Sequence, residues 1–259
     1  MTERDTNSGA TAGSSELARV RGVFEESGQA DPMYAALSRK GLAGMRWDAE
    51  AFFANGRTEV ADVLAYVAGQ GVNLQRGRAL DFGCAIGRLT QALGAHFDQA
   101  VGVDIAAAMV EQARTHNQQG ERVTYVHNTA PHLHVFADHS FDFVYSNKVL
   151  QHIPPTQQLA YVREFLRVLR PGGLAVFQMR NGPYIEPGSV RASLYTLNRI
   201  HFRWFTRRVR GRRPYGLQMH FVARAQVERV VSEAGGRILD VVDLSRGKPN
   251  KSLRYCVTR

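Results

Sequence analysis

An α/β fold, with a doubly wound and mostly parallel seven-stranded sheet, is what the sequence predicts. Three observations carry that expectation. From Arg78 onward, short runs rich in Val, Leu and Phe alternate with segments of helical periodicity, the texture of successive βαβ units. The first run ends in a glycine-bearing turn, Asp81 to Gly87. The last two runs are separated only by the polar stretch Ser245 to Ser252, too short for a helical crossover. They must form a hairpin, which puts one antiparallel strand into the sheet.

The elements follow in order. Residues 1–15, rich in Thr, Ser, Gly and Asn, read as a disordered tail. Residues 16–70 read as a helical cap, with Val60, Val63, Leu64 and Val67 at helical spacings and Trp47, Phe52 and Phe53 as core or lid aromatics. Residues 78–180 form the sheet core. Its strands are expected at Ala79–Phe82, Ala100–Ile105, Val123–His127, Phe141–Ser146 and Leu174–Met179. Helices are expected at Arg88–Phe97, Ala106–His116 and Gln157–Leu169, the last stopped by Pro171-Gly172-Gly173. An insertion follows at 185–222. Residues 223–259 supply a helix, Ala223–Ala234, closed by Gly235-Gly236, and strands Ile238–Leu244 and Leu253–Thr258. One domain of 259 residues accommodates all of this.

Composition excludes several classes. No apolar run is long enough to span a bilayer, and the polar N-terminus lacks the apolar stretch of a secretory signal. Two cysteines, Cys84 and Cys256, make neither a disulfide framework nor an all-cysteine zinc site, so a reducing cytoplasm is expected. The net charge of +10 is concentrated. Eight arginines lie between Arg191 and Arg213 with no acid among them, and removing them takes the balance to +2. A uniformly basic nucleic-acid surface is thereby disfavoured. Aromatics such as Trp204, Phe205 and Tyr215 interleave with these arginines. The segment reads as a contact for an apolar acceptor with an anionic group, with peripheral contact to an anionic membrane as the other reading.

The chemistry is concentrated at the strand ends. Glycines after the first strand let the backbone approach a ligand, and the helix that follows offers free N–H groups. Asp104 ends the second strand, where a carboxylate can bind ribose hydroxyls. The turn is Gly83-Cys84-Ala85-Ile86-Gly87, not the G-x-G-x-x-G of dinucleotide binders, and Asp81 precedes it. A carboxylate there repels pyrophosphate and welcomes an ammonium group. Adenosine joined to a cationic amino-acid tail describes S-adenosylmethionine (SAM).

These residues resemble the class I SAM-dependent methyltransferases. The resemblance runs through Ala79 to Thr90, through Val103-Asp104-Ile105 with Met109, through Phe141 to Ile153, and through Leu169 to Leu174, over roughly residues 50–180. It is closest to bacterial small-molecule enzymes of quinone and natural-product biosynthesis. It implies a Rossmann-like methyltransferase fold and methyl transfer by direct in-line displacement. It also implies a cofactor wall of Asp81, Gly83, Cys84, Ala85, Gly87, Asp104, Ile105 and Met109, completed by Asn128, Thr129 and Asn147. Asn128 and Thr129 stand where the family often has an acid near the adenine amino group. Cys84 reads as a small hydrophobe within the motif. Ala85 departs from the glycine pattern and is costly if the turn requires positive φ.

Other candidates come from residue chemistry. Arg57, upstream of the turn, suits an ion pair to the SAM carboxylate. His152, after the fourth strand, and His220, before the penultimate helix, are the candidate general bases for a hydroxyl acceptor. His132 and His134 lie in a surface loop without further ligands, and no metal is expected. A small-molecule hydroxyl is the expected acceptor. A non-catalytic SAM-binding scaffold and an RNA methyltransferase are the alternatives.

Overall fold

The computed structural model describes residues 6–182, 219–245 and 252–259, with backbone alone for 6–15. The arginine-rich stretch 191–213, and with it most of the expected insertion, lies outside the described residues. The helices are α1 (Thr6–Ala30), α2 (Pro32–Ala36), α3 (Ala49–Ala68), α4 (Arg88–Gly94), α5 (Ala107–Thr115), α6 (Pro155–Val168) and α7 (Arg224–Glu233). The strands are β1 (Arg78–Phe82), β2 (Gln99–Asp104), β3 (Val123–His127), β4 (Phe141–Ser146), β5 (Leu169–Arg180), β6 (Arg237–Asp243) and β7 (Ser252–Thr258).

One sheet of order β3-β2-β1-β4-β5-β7-β6 organises the chain. β1 to β5 pair in parallel, and β7 pairs antiparallel with both β5 and β6. The hairpin expectation therefore holds, and β7 is the strand that runs against the others. Alternation along the strands separates two cores. Leu80, Val144, Phe177 and Val257 face one side and pack with Phe165 of α6 and Val227 of α7. Their neighbours Ala79, Phe143, Val176 and Cys256 face the other, against Val60 of α3, Leu93 of α4 and Val110 of α5. The chain order reverses between β1 and β4, so their carboxyl ends diverge into the crevice where open α/β sheets bind ligands.

Three boundaries differ from expectation. α1 begins at Thr6, inside the stretch read as a disordered tail. Its later turns bury Leu17 and Val20, and the helix extends backward from that anchor. α6 stops at Val168 because Leu169 already pairs with Phe141, so β5 starts five residues before the expected Leu174. Pro171-Gly172-Gly173 therefore lies within the early part of a strand instead of ending a helix. Lastly, α3 is less a cap than a layer of the sandwich. It packs on α4 with Phe52 fully buried and Phe53 nearly so, and the two rings join Ile86 and Met109 in a third apolar cluster. The core reading of these aromatics is the one realised.

Candidate active site

At the diverging ends of β1 and β4 lies a cavity of about 320 Å³. Its base is the turn after β1, with Gly83 and Ala85, and the end of β2, with Asp104 and Ile105. Asn128, just past β3, and Asn147, just past β4, complete the polar side. The opposite wall is apolar and comes from α1 and the chain that follows it: Leu17, Val20, Phe24 and Leu37. Val149, His152 and Tyr161 also line the cavity, with Val149 beside Gly83.

The turn is tightly specified. Gly83 has φ +76°, and a Cβ there would fall 2.4 Å from a methyl of Val149, so the β1 turn and the β4 loop touch without room for a side chain. Ala85 adopts φ +46°, the left-handed conformation that alanine holds only with strain. Asp104 supports it: its carboxylate accepts from Ala85 N–H at 2.8 Å and from Ala106 N–H at 3.0 Å. Burial raises the Asp104 carboxyl above its usual range, and the backbone donors oppose that rise.

The expected site residues divide into those on the wall and those behind it. Gly83, Ala85, Asp104, Ile105, Asn128, Asn147 and His152 line the cavity. Asp81 stands behind the turn, fully buried, with its carboxylate accepting from Thr90 Oγ1 at 2.7 Å. Burial pushes it up to about 7, against the Thr90 bond and the Arg88 charge. Asp81 is expected to meet an ammonium group directly or through water, and its place behind the turn leaves it off the cavity wall. Cys84 and Met109 are buried in apolar packing, and Gly87 is the N-cap of α4 at φ +80°. Thr129 is exposed and off the wall.

Arg57 does not reach the cavity. It is just over half exposed on α3 and pairs with Glu50. The inward position is taken by Arg88 of α4, whose ion pair with Glu59 measures 2.9 Å at 8% side-chain exposure. Arg88 also donates to Asn55 at 3.0 Å, and Glu59 accepts from Tyr145 Oη at 3.1 Å and from Asn147 Nδ2. This buried network runs from α3 to the cavity wall, and the sequence reading missed it. Its signal was an acid and an arginine 29 positions apart, which becomes a pair only once α3 and α4 are packed.

Of the two candidate bases, His152 is on the wall and His220 is not. His220 is buried, with Nε2 3.1 Å from Glu16 of α1 and its N–H donating to Gln151 O at 2.8 Å. It ties α1 to the β4 loop. His152 packs edge-on against Phe24, and its Nδ1 is buried without a hydrogen-bond partner among the described residues. Burial pushes its imidazole down to about 4, with His220 and Arg180 acting in the same direction. It is therefore neutral at pH 7, and its Nε2 lies 3.2 Å from Gln151 Nε2. The rings of His132 and His134 stack 3.9 Å apart in the loop after β3.

The arrangement suits SAM. The left-handed turn brings backbone to the wall, Asp104 places a carboxylate at the end of β2, and Ile105 adds apolar surface beside it. Comparison with known proteins agrees. Residues 80–177 match the family described as Methyltransferase domain. The chain is 30% identical over 190 residues to the biotin biosynthesis bifunctional protein BioHC of Cellvibrio japonicus, which covers 72% of this chain and 32% of that protein. It is 29% identical over 142 residues to a ubiquinone biosynthesis O-methyltransferase of Vibrio cholerae, covering 54% of this chain and 57% of the relative. The chain thus spans about a third to just over half the length of these curated relatives. Among solved structures it is similar to magnesium protoporphyrin IX methyltransferase of Synechocystis PCC 6803 with bound SAH, the demethylated cofactor. That likeness has a TM-score of 0.64 at 18% identity, over 94% of this chain and 99% of that one. The core of the protein is a class I SAM-dependent methyltransferase domain. Among the relatives it resembles are proteins named for biotin and ubiquinone biosynthesis.

Proposed function

We infer that the protein transfers the methyl group of SAM to a hydroxyl oxygen of a small, largely apolar acceptor that carries an anionic group. The observation that carries this reading is one cavity lined both by Asp104 and the glycine turn and by His152, with an unpartnered ring nitrogen. When bound, SAM supplies a methyl group made electrophilic by its sulfonium. Asp104 would hold the ribose hydroxyls, and Gly83 and Ala85 would approach the methionine portion through backbone. Leu17, Val20 and Phe24 exclude water and give the acceptor an apolar wall. His152 Nε2 accepts from Gln151 Nε2 at 3.2 Å, so the ring's Nδ1–H is the donor that would align the acceptor oxygen for in-line displacement. With its pKa near 4 the imidazole orients more than it deprotonates, and no acid limb from His152 is expected above about pH 5. The relative named as an O-methyltransferase supports oxygen as the acceptor atom.

Calorimetric titration tests the cofactor half. Asp104→Asn keeps an acceptor for Ala85 N–H but removes the charge, and it should weaken SAM by about 1–3 kcal/mol. Unchanged affinity would overturn the ribose assignment. Methyl release from a panel of hydroxylated carboxylates tests the second half, and His152→Gln should lower kcat more than it alters SAM affinity. The strained Ala85 favours one other reading, a SAM-binding scaffold without turnover. SAM binding with no methyl release on the panel, on RNA or on amines would select it.

A further inference from the structure

Among the described residues of the cavity wall, the side chains of acidic or basic type other than histidine and tyrosine are Asp104 and Lys148. Asp104 is committed to two backbone donors at the cofactor end. Lys148 has no carboxylate within ion-pair distance among the described residues. Its acidic neighbour across the loop, Glu59, is already engaged by Arg88, Tyr145 and Asn147.

The backbone at Lys148 is unusual. Its φ is +62°, a left-handed conformation that glycine or asparagine would adopt with less strain. Such strain persists only where the surroundings over-determine it. Here they do. Asn147 is held by Glu59, Val149 is pressed against Gly83, and Gln151 Nε2 donates to Lys148 O at 3.1 Å. The loop therefore presents a lysine, on a rigid mount, four residues before His152. Other residues of the wall are apolar or neutral: Phe24, Val149, Ile153, Tyr161 and Met219.

We propose that Lys148 is the specificity-determining residue of the acceptor subsite and grips the single anionic group of an otherwise apolar acceptor. The proposal rests on the methyl-transfer reading above and adds the residue that selects the substrate class. Lys148 is exposed and lines a cavity whose other walls there are apolar or neutral, and an ammonium so placed attracts carboxylate, sulfonate or phosphate alike, as a point charge without the planar fork of arginine. Lys148 follows β4 in the loop that continues to His152, and its neighbour Val149 touches Gly83 of the turn after β1, so it stands where the two parts of the crevice meet.

The test uses full-length protein saturated with S-adenosylhomocysteine, so that the cofactor end is filled. Two fluorescent probes are titrated: 8-anilinonaphthalene-1-sulfonate, apolar with one negative charge, and N-phenyl-1-naphthylamine, the same ring system without it. Lys148→Gln should weaken the sulfonate probe about tenfold at low salt, the weight of one hydrogen bond to a charged group. It should move the neutral probe less than twofold. Lys148→Arg should keep the sulfonate affinity, and 0.5 M salt should narrow the difference between wild type and Lys148→Gln. Lys148→Gly relieves the backbone strain, so it should melt no lower than wild type and still lose the sulfonate probe. Equal weakening of both probes, or none, overturns the proposal. A tenfold loss of SAM affinity in Lys148→Gln also overturns it, because the lysine would then serve the cofactor, while methyl transfer would stand. Failure of the wild type to bind SAM defeats the methyl-transfer reading and the proposal together.

Discussion

Asp81 and His152 place two opposed titrations inside one site. His152 has its pKa lowered from 6.5 to about 4 by burial, so the unfolded chain takes up this proton before the native state does. Its stabilising contribution is complete above pH 6.5 and is lost as pH falls toward 4, about 3 kcal/mol in all. Asp81 has its pKa raised from 3.8 to about 7, also by burial. Its contribution is complete below pH 3.8 and is lost as pH rises toward 7. The two offset each other between pH 4 and 6.5. Thermal melts across that range should therefore show Asp81→Asn losing stability with acid more steeply than wild type, and His152→Gln losing less or gaining. A pair of variants with the same pH slope would refute the opposition. The sequence made these two residues visible because each sits at a fixed offset from a strand end. It did not reveal that Asp81 faces inward to Thr90, because which way a side chain turns at a strand end depends on the packing of α4 behind it.

Among the elements, the junction of α3 and α4 governs how the β4 loop is held. Gly56 of α3 lies so close to α4 that a Cβ would fall 2.4 Å from the carbonyl oxygen of Arg88. That approach lets Glu59 reach Arg88 and, beyond it, Asn147 on the cavity wall. Glu59→Ala leaves a nearly buried guanidinium without its counter-ion, and denaturant unfolding should show a loss of about 3–5 kcal/mol. Glu59→Gln retains an acceptor and should lose less. A loss below 1 kcal/mol in Glu59→Ala would show that water or another group replaces the carboxylate. A second junction joins α1 to α5. Ala106, the N-cap of α5, has no side-chain acceptor, and Glu25 of α1 supplies one to Ala108 N–H at 3.1 Å. Neither junction was legible in the chain, since both join residues of separate helices. The helices and strands themselves were legible, because period 2 and period 3.6 are local properties. Their ends were less so. The stop of α6 is decided by the pairing of Leu169 with Phe141, a contact across the sheet.

At the scale of the molecule, the positive charge is concentrated in one stretch of the sequence. The eight arginines between Arg191 and Arg213 account for most of the net +10, while the cavity wall among the described residues has one lysine and one aspartate. If the arginine segment serves the acceptor, replacing Arg207, Arg208, Arg210, Arg212 and Arg213 with Gln leaves SAM affinity intact. Acceptor KM should rise and lose its salt dependence, since exposed attraction is screened over about 10 Å at 0.1 M. Unaltered kinetics, with unaltered binding to anionic vesicles, would make the segment a solvated insertion. The sheet topology was legible where the alternation of elements compelled it. The order of the last three strands came only from the length of the gap between β6 and β7, which fixed the hairpin but not which of its strands would join β5.

That order sets a schedule for synthesis. β7 is the last strand in the chain, yet it lies between β5 and β6 and joins them. On a ribosome, β1 through β4 emerge first, and with them the parts of the crevice that meet the cofactor. β5 follows, and its outer edge then waits for roughly seventy residues to be added, about 4–14 s at usual elongation rates. Throughout that interval Leu174 to Arg180 present unpaired backbone to any strand nearby, the geometry that invites pairing with another chain. β6 has no partner until β7 arrives. The nascent protein thus holds most of its ligand cleft well before its sheet is closed. A ligand that bound there would stabilise the half-built sheet by mass action during the interval when it is most exposed.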